Sequence, residues 1–152
     1  MRVYYQDTDA GGVVFHATYM DFFERARMEW MRAQGFDGTH LASRFRLVFI
    51  VRQLEVAYMK PALLYDLVMV SAAVEKMGRA QLTFAQEVMR NGEILVRATI
   101  NVACVGVDDL KPMPFPEEIR AVLERGAPPA EKNPDRPTPP APQSRLNDGR
   151  QP

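Results

Sequence analysis

Residues 5–16 hold the side chains of this chain that are best suited to chemistry. Two carboxylates, Asp7 and Asp9, are followed by a Gly-Gly pair at 11–12 and by His16, where a helix is predicted to begin. Amides at a helix N-terminus are unpaired donors with partial positive charge, and they suit an oxyanion that develops on a carbonyl. A carboxylate nearby can act as nucleophile, or as general base on a water molecule.

The spacing of these residues alone leaves structural alternatives open. Asp9 could be a loop carboxylate that satisfies local amides, since Asp and Gly are common in every loop. Asp7 is predicted to be structural, at a turn or a helix end. Gly12 is predicted to let the backbone approach a ligand closely, with a plain turn glycine as the alternative. Spacing by itself therefore favours a structural role for this segment.

A long helix is predicted directly after this segment, from about Ala17 to Gln34. Thr18 with Asp21 resembles a capping box at its start, and Gly35 fits the position just past its end. Helical spacing is shown by the apolar residues Tyr19, Phe22, Phe23, Ala26, Trp30 and Ala33. Because these residues form one broad stripe, we expect the helix to lie against a sheet.

The rest of the chain predicts an antiparallel sheet. A short strand is expected before the helix, and Asn91-Gly92 predicts a type I′ turn between the last two strands. Pro116–Glu124 predicts a terminal helix. The predicted strands are Val3–Gln6, Leu47–Tyr58, Leu67–Glu75, Ala80–Met89 and Ile94–Val105.

The fold class is therefore α+β, with one long helix packed on a five-stranded antiparallel sheet. One helix cannot cover both faces of such a sheet. We therefore expect the apolar alternation of the last strands to be covered by a partner sheet from another subunit.

Composition excludes several classes of function. Lys+Arg and Asp+Glu both number 19, so the formal net charge is zero and gives no electrostatic case for binding nucleic acid. No apolar run approaches the roughly 20 residues of a membrane helix. One cysteine and two histidines show no metal-ligand spacing, so neither a metal nor a cofactor is expected. We expect a cytoplasmic protein with a domain at 1–126 and a disordered tail at 127–152, which holds eight of the 12 prolines.

Two stretches of this sequence carry a family resemblance. The first is Tyr5-x-Asp7-Thr8-Asp9-x-x-Gly12-Val13-Val14-Phe15-His16, and the second is Tyr58-Met59-Lys60-Pro61-Ala62. Together they resemble the hotdog-fold thioesterases related to 4-hydroxybenzoyl-CoA thioesterase. More narrowly, the chain is similar to the Tol-Pal-associated acyl-CoA thioesterase family.

The resemblance implies a hotdog fold, a homodimer or homotetramer assembled through the sheets, and a catalytic aspartate at Asp9. That aspartate would act on the thioester carbonyl as nucleophile or as general base. The donor amide at the helix N-terminus falls on His16, whose side chain would contact the thioester or orient Asp9. Substrate contacts are expected from Gly12, Val13, Tyr19, Glu24, Lys60 and Arg79.

Lys60 and Arg79, together with Lys76, are candidates for the phosphates of coenzyme A. Glu24 would read the far end of the acyl group, or would be an exposed glutamate paired with Arg27. Tyr19 is expected in the core, with its ring at the edge of the acyl pocket as the alternative.

The resemblance predicts an acyl-CoA thioester hydrolase, without a cofactor, for short- to medium-chain or aromatic acyl groups. The alternative is a non-catalytic scaffold, linked to the Tol-Pal system, that binds an acyl carrier protein or a lipid-synthesis enzyme. A third chemistry, hydration of an enoyl thioester, is disfavoured because no histidine lies between Tyr19 and Gln34.

Overall fold

The computed structural model describes residues 1–125, and the predicted tail at 127–152 lies outside the described residues. After a 3-10 turn at Tyr5–Asp7, three helices and five strands follow. In chain order they are α1 (Thr18–Ala33), α2 (Gly38–Arg44), β1 (Leu47–Tyr58), β2 (Met69–Val70), β3 (Ala73–Met77), β4 (Gln81–Arg90), β5 (Glu93–Gly106) and α3 (Glu117–Arg125).

Helix α1 is the central element, and its predicted range is confirmed within one residue at each end. The predicted capping box is wrong, because Thr18 lies inside the first turn and Ala17 at the N-cap makes no side-chain hydrogen bond. The C-terminal prediction is correct: Gly35 has φ +92° and its N–H donates to the Arg32 carbonyl at 2.9 Å. Helix α1 buries Tyr19, Phe22, Phe23, Ala26, Arg27 and Met31.

The five strands form one antiparallel sheet in the order β1-β5-β4-β2, with β3 also paired to β4. The inner face carries the predicted alternating residues of β4 and β5. Trp30 of α1 packs edge to face on Phe84, with 5.7 Å between the ring centroids. Asn91 and Gly92 have φ of 52° and 80°, which confirms the predicted turn. One long helix against a five-stranded antiparallel sheet is the hotdog arrangement that the resemblance implied.

Two strand predictions are wrong in detail. Val3–Gln6 is not a strand, since Tyr5–Asp7 forms a 3-10 turn in which the Asp7 carboxylate accepts the Tyr4 N–H at 2.8 Å. Residues 1–3, before this turn, still pair with residues 65–68: the Val3 N–H donates to the Asp66 carbonyl at 2.9 Å, and the Tyr65 N–H donates to the Val3 carbonyl at 3.0 Å. The predicted strand 67–75 is divided into β2 and β3 around Ser71, whose hydroxyl accepts the Glu87 N–H at 2.9 Å. The strand count is five because of that division.

The apolar alternation of the last strands is buried within the chain and not, as predicted, by a partner sheet from another subunit. The apolar side chains of β4 and β5 point toward α1, while the outer face is polar: Asn101 donates to Thr83 at 3.3 Å and Arg97 to Glu87 at 2.9 Å. Uncovered apolar surface lies instead on the inner face of β1, where Val51 and Leu54 are 41% and 43% exposed. The oligomeric state itself stays a prediction.

The turn at Asn91-Gly92 gives a test of the fold. We expect Gly92→Ala to lower the free energy of unfolding by about 1–2 kcal/mol, because φ is +80° there and an added Cβ disfavours that conformation. Urea unfolding of the variant measures the change. The matched control is Gly38→Ala, at the first position of α2, where nothing lies within 4 Å of an added Cβ. Equal stability of the two variants would contradict this account of the turn.

Candidate active site

The loop that carries Asp9 is a tight turn closed by its own backbone. The Asp9 N–H donates to the Val13 carbonyl at 2.9 Å, and the Gly12 N–H donates to the Asp9 carbonyl at 3.0 Å. Gly12 has φ +74°, and a Cβ added there would meet nothing within 4 Å. The positive φ accounts for a glycine at this position, and close approach of a ligand to Gly12 stays a prediction.

The Asp9 carboxylate is exposed, and only one of its two oxygens is hydrogen-bonded in the described residues. Its Oδ1 accepts the Gly11 N–H at 2.7 Å, and within residues 1–125 no hydrogen bond reaches its Oδ2. A Cβ on Gly11 would lie 3.0 Å from Oδ1, so a glycine gives the carboxylate room at that side. One oxygen is held by the loop, and the other is free to act on a ligand.

The start of α1 supplies the amides. The Phe15 N–H donates to the Asp7 carbonyl and the Thr18 N–H to the Phe15 carbonyl, both at 2.9 Å. Between them, the N–H groups of His16 and Ala17 have no backbone acceptor in the described part of the chain. Such unpaired donors at a helix N-terminus can receive a carbonyl oxygen that gains negative charge.

A cavity of about 310 Å³ joins the carboxylate and the start of the helix. Its lining residues are Asp9, Val13, Val14, His16, Tyr19, Tyr58, Met59, Lys60 and Pro61. The structure thus brings together five of the residues predicted from sequence. Sequence reasoning gave no role to Tyr58, although the alternation of β1 places its side chain on the same face as Val56 and Leu54.

Tyr19 connects the core to the cavity wall. Its side chain is buried, and its hydroxyl oxygen accepts the N–H of the fully buried Ala62 at 3.0 Å. Burial raises the pKa of the Tyr19 hydroxyl, and the Ala62 hydrogen bond partly opposes that effect. The predicted place of the ring in the core is confirmed, and the ring also lines the cavity; its contact with an acyl group stays a prediction.

Lys60 brings positive charge to the cavity. Its ammonium group forms an ion pair with Glu93, and its backbone N–H donates to the Leu95 carbonyl at 3.0 Å. The hydrogen bond from Lys60 lowers the pKa of the Glu93 carboxyl. The ammonium is therefore near the site but is bound to a carboxylate in the free protein.

Glu24 lies outside this cavity, in a second one of about 320 Å³ between α1 and β1. It is 54% exposed and pairs with the buried Arg27, whose guanidinium also donates to the Gln86 amide oxygen at 2.8 Å. The pairing of an exposed helix glutamate with Arg27 is thus the arrangement present.

Arg79 is not brought to the cavity of Asp9. It lies two residues before the start of β4, and its carbonyl accepts the Phe115 N–H at 3.1 Å. At that end of the sheet the first residue of β4 pairs with Ala103 of β5, whereas Tyr58 at the cavity pairs with Val96 of β5. Ala103 and Val96 are seven residues apart along β5. At ~3.3 Å per residue the separation is roughly 23 Å. Within one chain, the predicted contact of Arg79 with the same ligand is not supported.

Residues 1–125 contain no group of three His, Cys, Asp or Glu side chains that could hold a metal ion. Cys104 is buried on the inner face of β5, and burial raises the pKa of its thiol to about 11. No helix in this part of the chain is long and apolar enough to cross a membrane.

Residues 11–97 match the model of the thioesterase superfamily, and the chain belongs to that family. It is 46% identical over 123 residues to an acyl-CoA thioesterase YbgC of Haemophilus influenzae, covering 81% of this chain and 90% of that protein. It is 39% identical over 126 residues to an acyl-CoA thioester hydrolase YbgC of Escherichia coli O6:H1, covering 82% and 93%.

A solved structure shares both sequence and fold with this chain. The crystal structure of a probable thioesterase from Bartonella henselae superposes with a TM-score of 0.73 at 35% identity. The match covers 76% of this chain and 95% of the other. The expectation of a hotdog-fold thioesterase is confirmed.

The bond between Tyr19 and Ala62 gives a second test. We expect Tyr19→Phe to lower the free energy of unfolding by about 1–3 kcal/mol, because the buried Ala62 N–H loses its acceptor. Tyr65→Phe is the control, since that side chain is 65% exposed. Urea unfolding of both variants measures the difference, and equal stability would show that the bond contributes nothing.

Proposed function

We propose that this protein is an acyl-CoA thioester hydrolase that releases a free acid and coenzyme A. The observation that carries the proposal is that Asp9 and His16 line one cavity, beside amides without a backbone acceptor in residues 1–125. Membership of the thioesterase superfamily and two relatives named as acyl-CoA hydrolases support it.

In the proposed reaction the thioester carbonyl oxygen accepts hydrogen bonds from the His16 and Ala17 amides. These donors stabilise the negative charge that develops on that oxygen. The free oxygen of Asp9 then acts in one of two ways. It attacks the carbonyl carbon and forms an anhydride that water hydrolyses to the free acid, or it removes a proton from a water molecule that attacks the carbon and gives the acid directly. Coenzyme A leaves as a thiolate, which needs little help because thiols ionise near pH ~8.5.

For the substrate we propose short- to medium-chain or aromatic acyl groups. The cavity volume of about 310 Å³ lies at the lower end of the roughly 300–1,000 Å³ typical of ligand sites, which supports small acyl groups. Val13 and Tyr19 supply apolar wall to the site, and Lys60 is the proposed contact for a phosphate of coenzyme A.

We also propose a cytoplasmic homodimer or homotetramer. Support for an oligomer comes from β1, which is the terminal strand of the sheet. Its side chains Val51 and Leu54 are exposed. An acyl carrier protein as the alternative carrier of the acyl group stays a prediction. For the non-catalytic scaffold linked to Tol-Pal, no specific observation gives support.

The hydrolysis proposal is tested with Asp9→Asn. We expect kcat to fall by roughly 10²–10⁴-fold with the fold retained, because the amide can neither attack nor accept a proton. Thiol release from a panel of acyl-CoA substrates, from acetyl to palmitoyl, measures the effect. Asp37→Asn is the matched control, since asparagine replaces aspartate well at the N-cap of α2. Full activity of Asp9→Asn would remove Asp9 from the mechanism.

The role of Lys60 is tested through its partner. We expect Glu93→Gln to lower KM for acyl-CoA by roughly two- to tenfold, because it frees Lys60 for a phosphate. Lys60→Met should raise KM. Added salt should reduce the difference between wild type and Glu93→Gln, since exposed charges are screened. An unchanged or higher KM in Glu93→Gln would contradict this assignment.

A further inference from the structure

A hydrogen bond ties the end of β1 to the turn before α1. Tyr58 is the last residue of β1, and its hydroxyl donates to the His16 carbonyl oxygen at 2.9 Å. The Tyr58 ring packs edge to face on the Tyr19 ring, with 5.7 Å between the ring centroids. Tyr58 also lines the same cavity as Asp9. This bond therefore lies at the cavity and not at a remote surface.

The bond acts on a particular peptide group. The carbonyl of His16 and the N–H of Ala17 belong to one planar peptide unit, so a donor that fixes the oxygen also fixes the direction of the N–H. Hydrogen bonds in series polarise one another, so donation to the oxygen makes the N–H a stronger donor. Like the His16 N–H, the Ala17 N–H has no backbone acceptor in residues 1–125.

We propose that Tyr58 is a positioning residue for the hydrolysis reaction. Its hydroxyl orients the peptide between His16 and Ala17 and strengthens the Ala17 N–H as a donor to the thioester oxygen. The inference rests on the proposed function and adds a residue to it. Donors of this kind act best when they are directed in advance at the position where charge develops.

Tyr58 differs from its neighbour Tyr19 in what its hydroxyl does for the fold. The Tyr19 hydroxyl satisfies a buried amide, so its loss leaves a polar group without a partner. Tyr58 is 49% exposed, and water can replace its hydroxyl at the His16 carbonyl. Water would keep the oxygen satisfied but would not hold the peptide in one orientation. Loss of the Tyr58 hydroxyl should therefore affect turnover more than stability.

The test is Tyr58→Phe, which keeps the ring and its contact with Tyr19. We expect kcat to fall roughly three- to tenfold, with KM within about twofold of wild type. The melting temperature should stay within ~2 °C. Tyr65→Phe, which removes a hydroxyl from a side chain that is 65% exposed, is the control and should keep the wild-type kcat.

A second readout does not need turnover. In ¹H–¹⁵N spectra we expect the Ala17 amide resonance to move upfield in Tyr58→Phe, because the peptide loses its polarising donor. If the wild type hydrolyses no acyl-CoA, the proposed function fails, while this shift still decides whether Tyr58 acts on the Ala17 amide.

Three results would overturn the inference. The first is an unchanged kcat in Tyr58→Phe, and the second is an Ala17 resonance that does not move. The third is a fall in kcat matched by a loss of stability of similar size, since that would make the hydroxyl a structural group.

Discussion

The site depends on Ala62, a buried residue whose backbone is hydrogen-bonded on both sides. Its N–H donates to the Tyr19 hydroxyl at 3.0 Å, and its carbonyl accepts the Val14 N–H at 2.9 Å. The first bond reaches α1 and the second reaches the loop that carries Asp9. Because Ala62 is fully buried, water cannot easily replace either partner. One residue thus sets the position of the carboxylate relative to the helix start.

Some polar groups of the site have a hydrogen-bond partner within the chain, and others have none in the described residues. Asp9 has one oxygen held by the Gly11 N–H and one without a hydrogen bond in the described residues, so it is oriented while one oxygen stays available. The N–H groups of His16 and Ala17 precede the first residue of α1, so no hydrogen bond within the helix uses them. They therefore stay available to a ligand.

Much of the fold could be predicted from sequence where a local rule dominates. The stripe of α1 and the Asn-Gly turn are local patterns, and both were predicted correctly. The 3-10 turn at residues 5–7 depends on one side-chain bond of Asp7, and α2 is only 7 residues long, too short for a periodic signal. Asp37 at its N-cap was the available sign.

For the site, nearby residues were easier to predict than distant ones. Asp9 and His16 are seven residues apart and meet in one cavity, whereas the position of Arg79 depends on strand register, which sequence did not provide. Tyr58 reaches His16 across 42 positions in the chain, so no spacing rule could have linked them.

The central claim is that the start of α1 and Asp9 act together on a thioester. A crystal structure of Asp9→Asn with bound acyl-CoA tests it most directly. The account predicts the thioester oxygen at about 3 Å from the His16 and Ala17 amides, with the carbonyl carbon facing residue 9. An acyl-CoA whose thioester touches neither would contradict it.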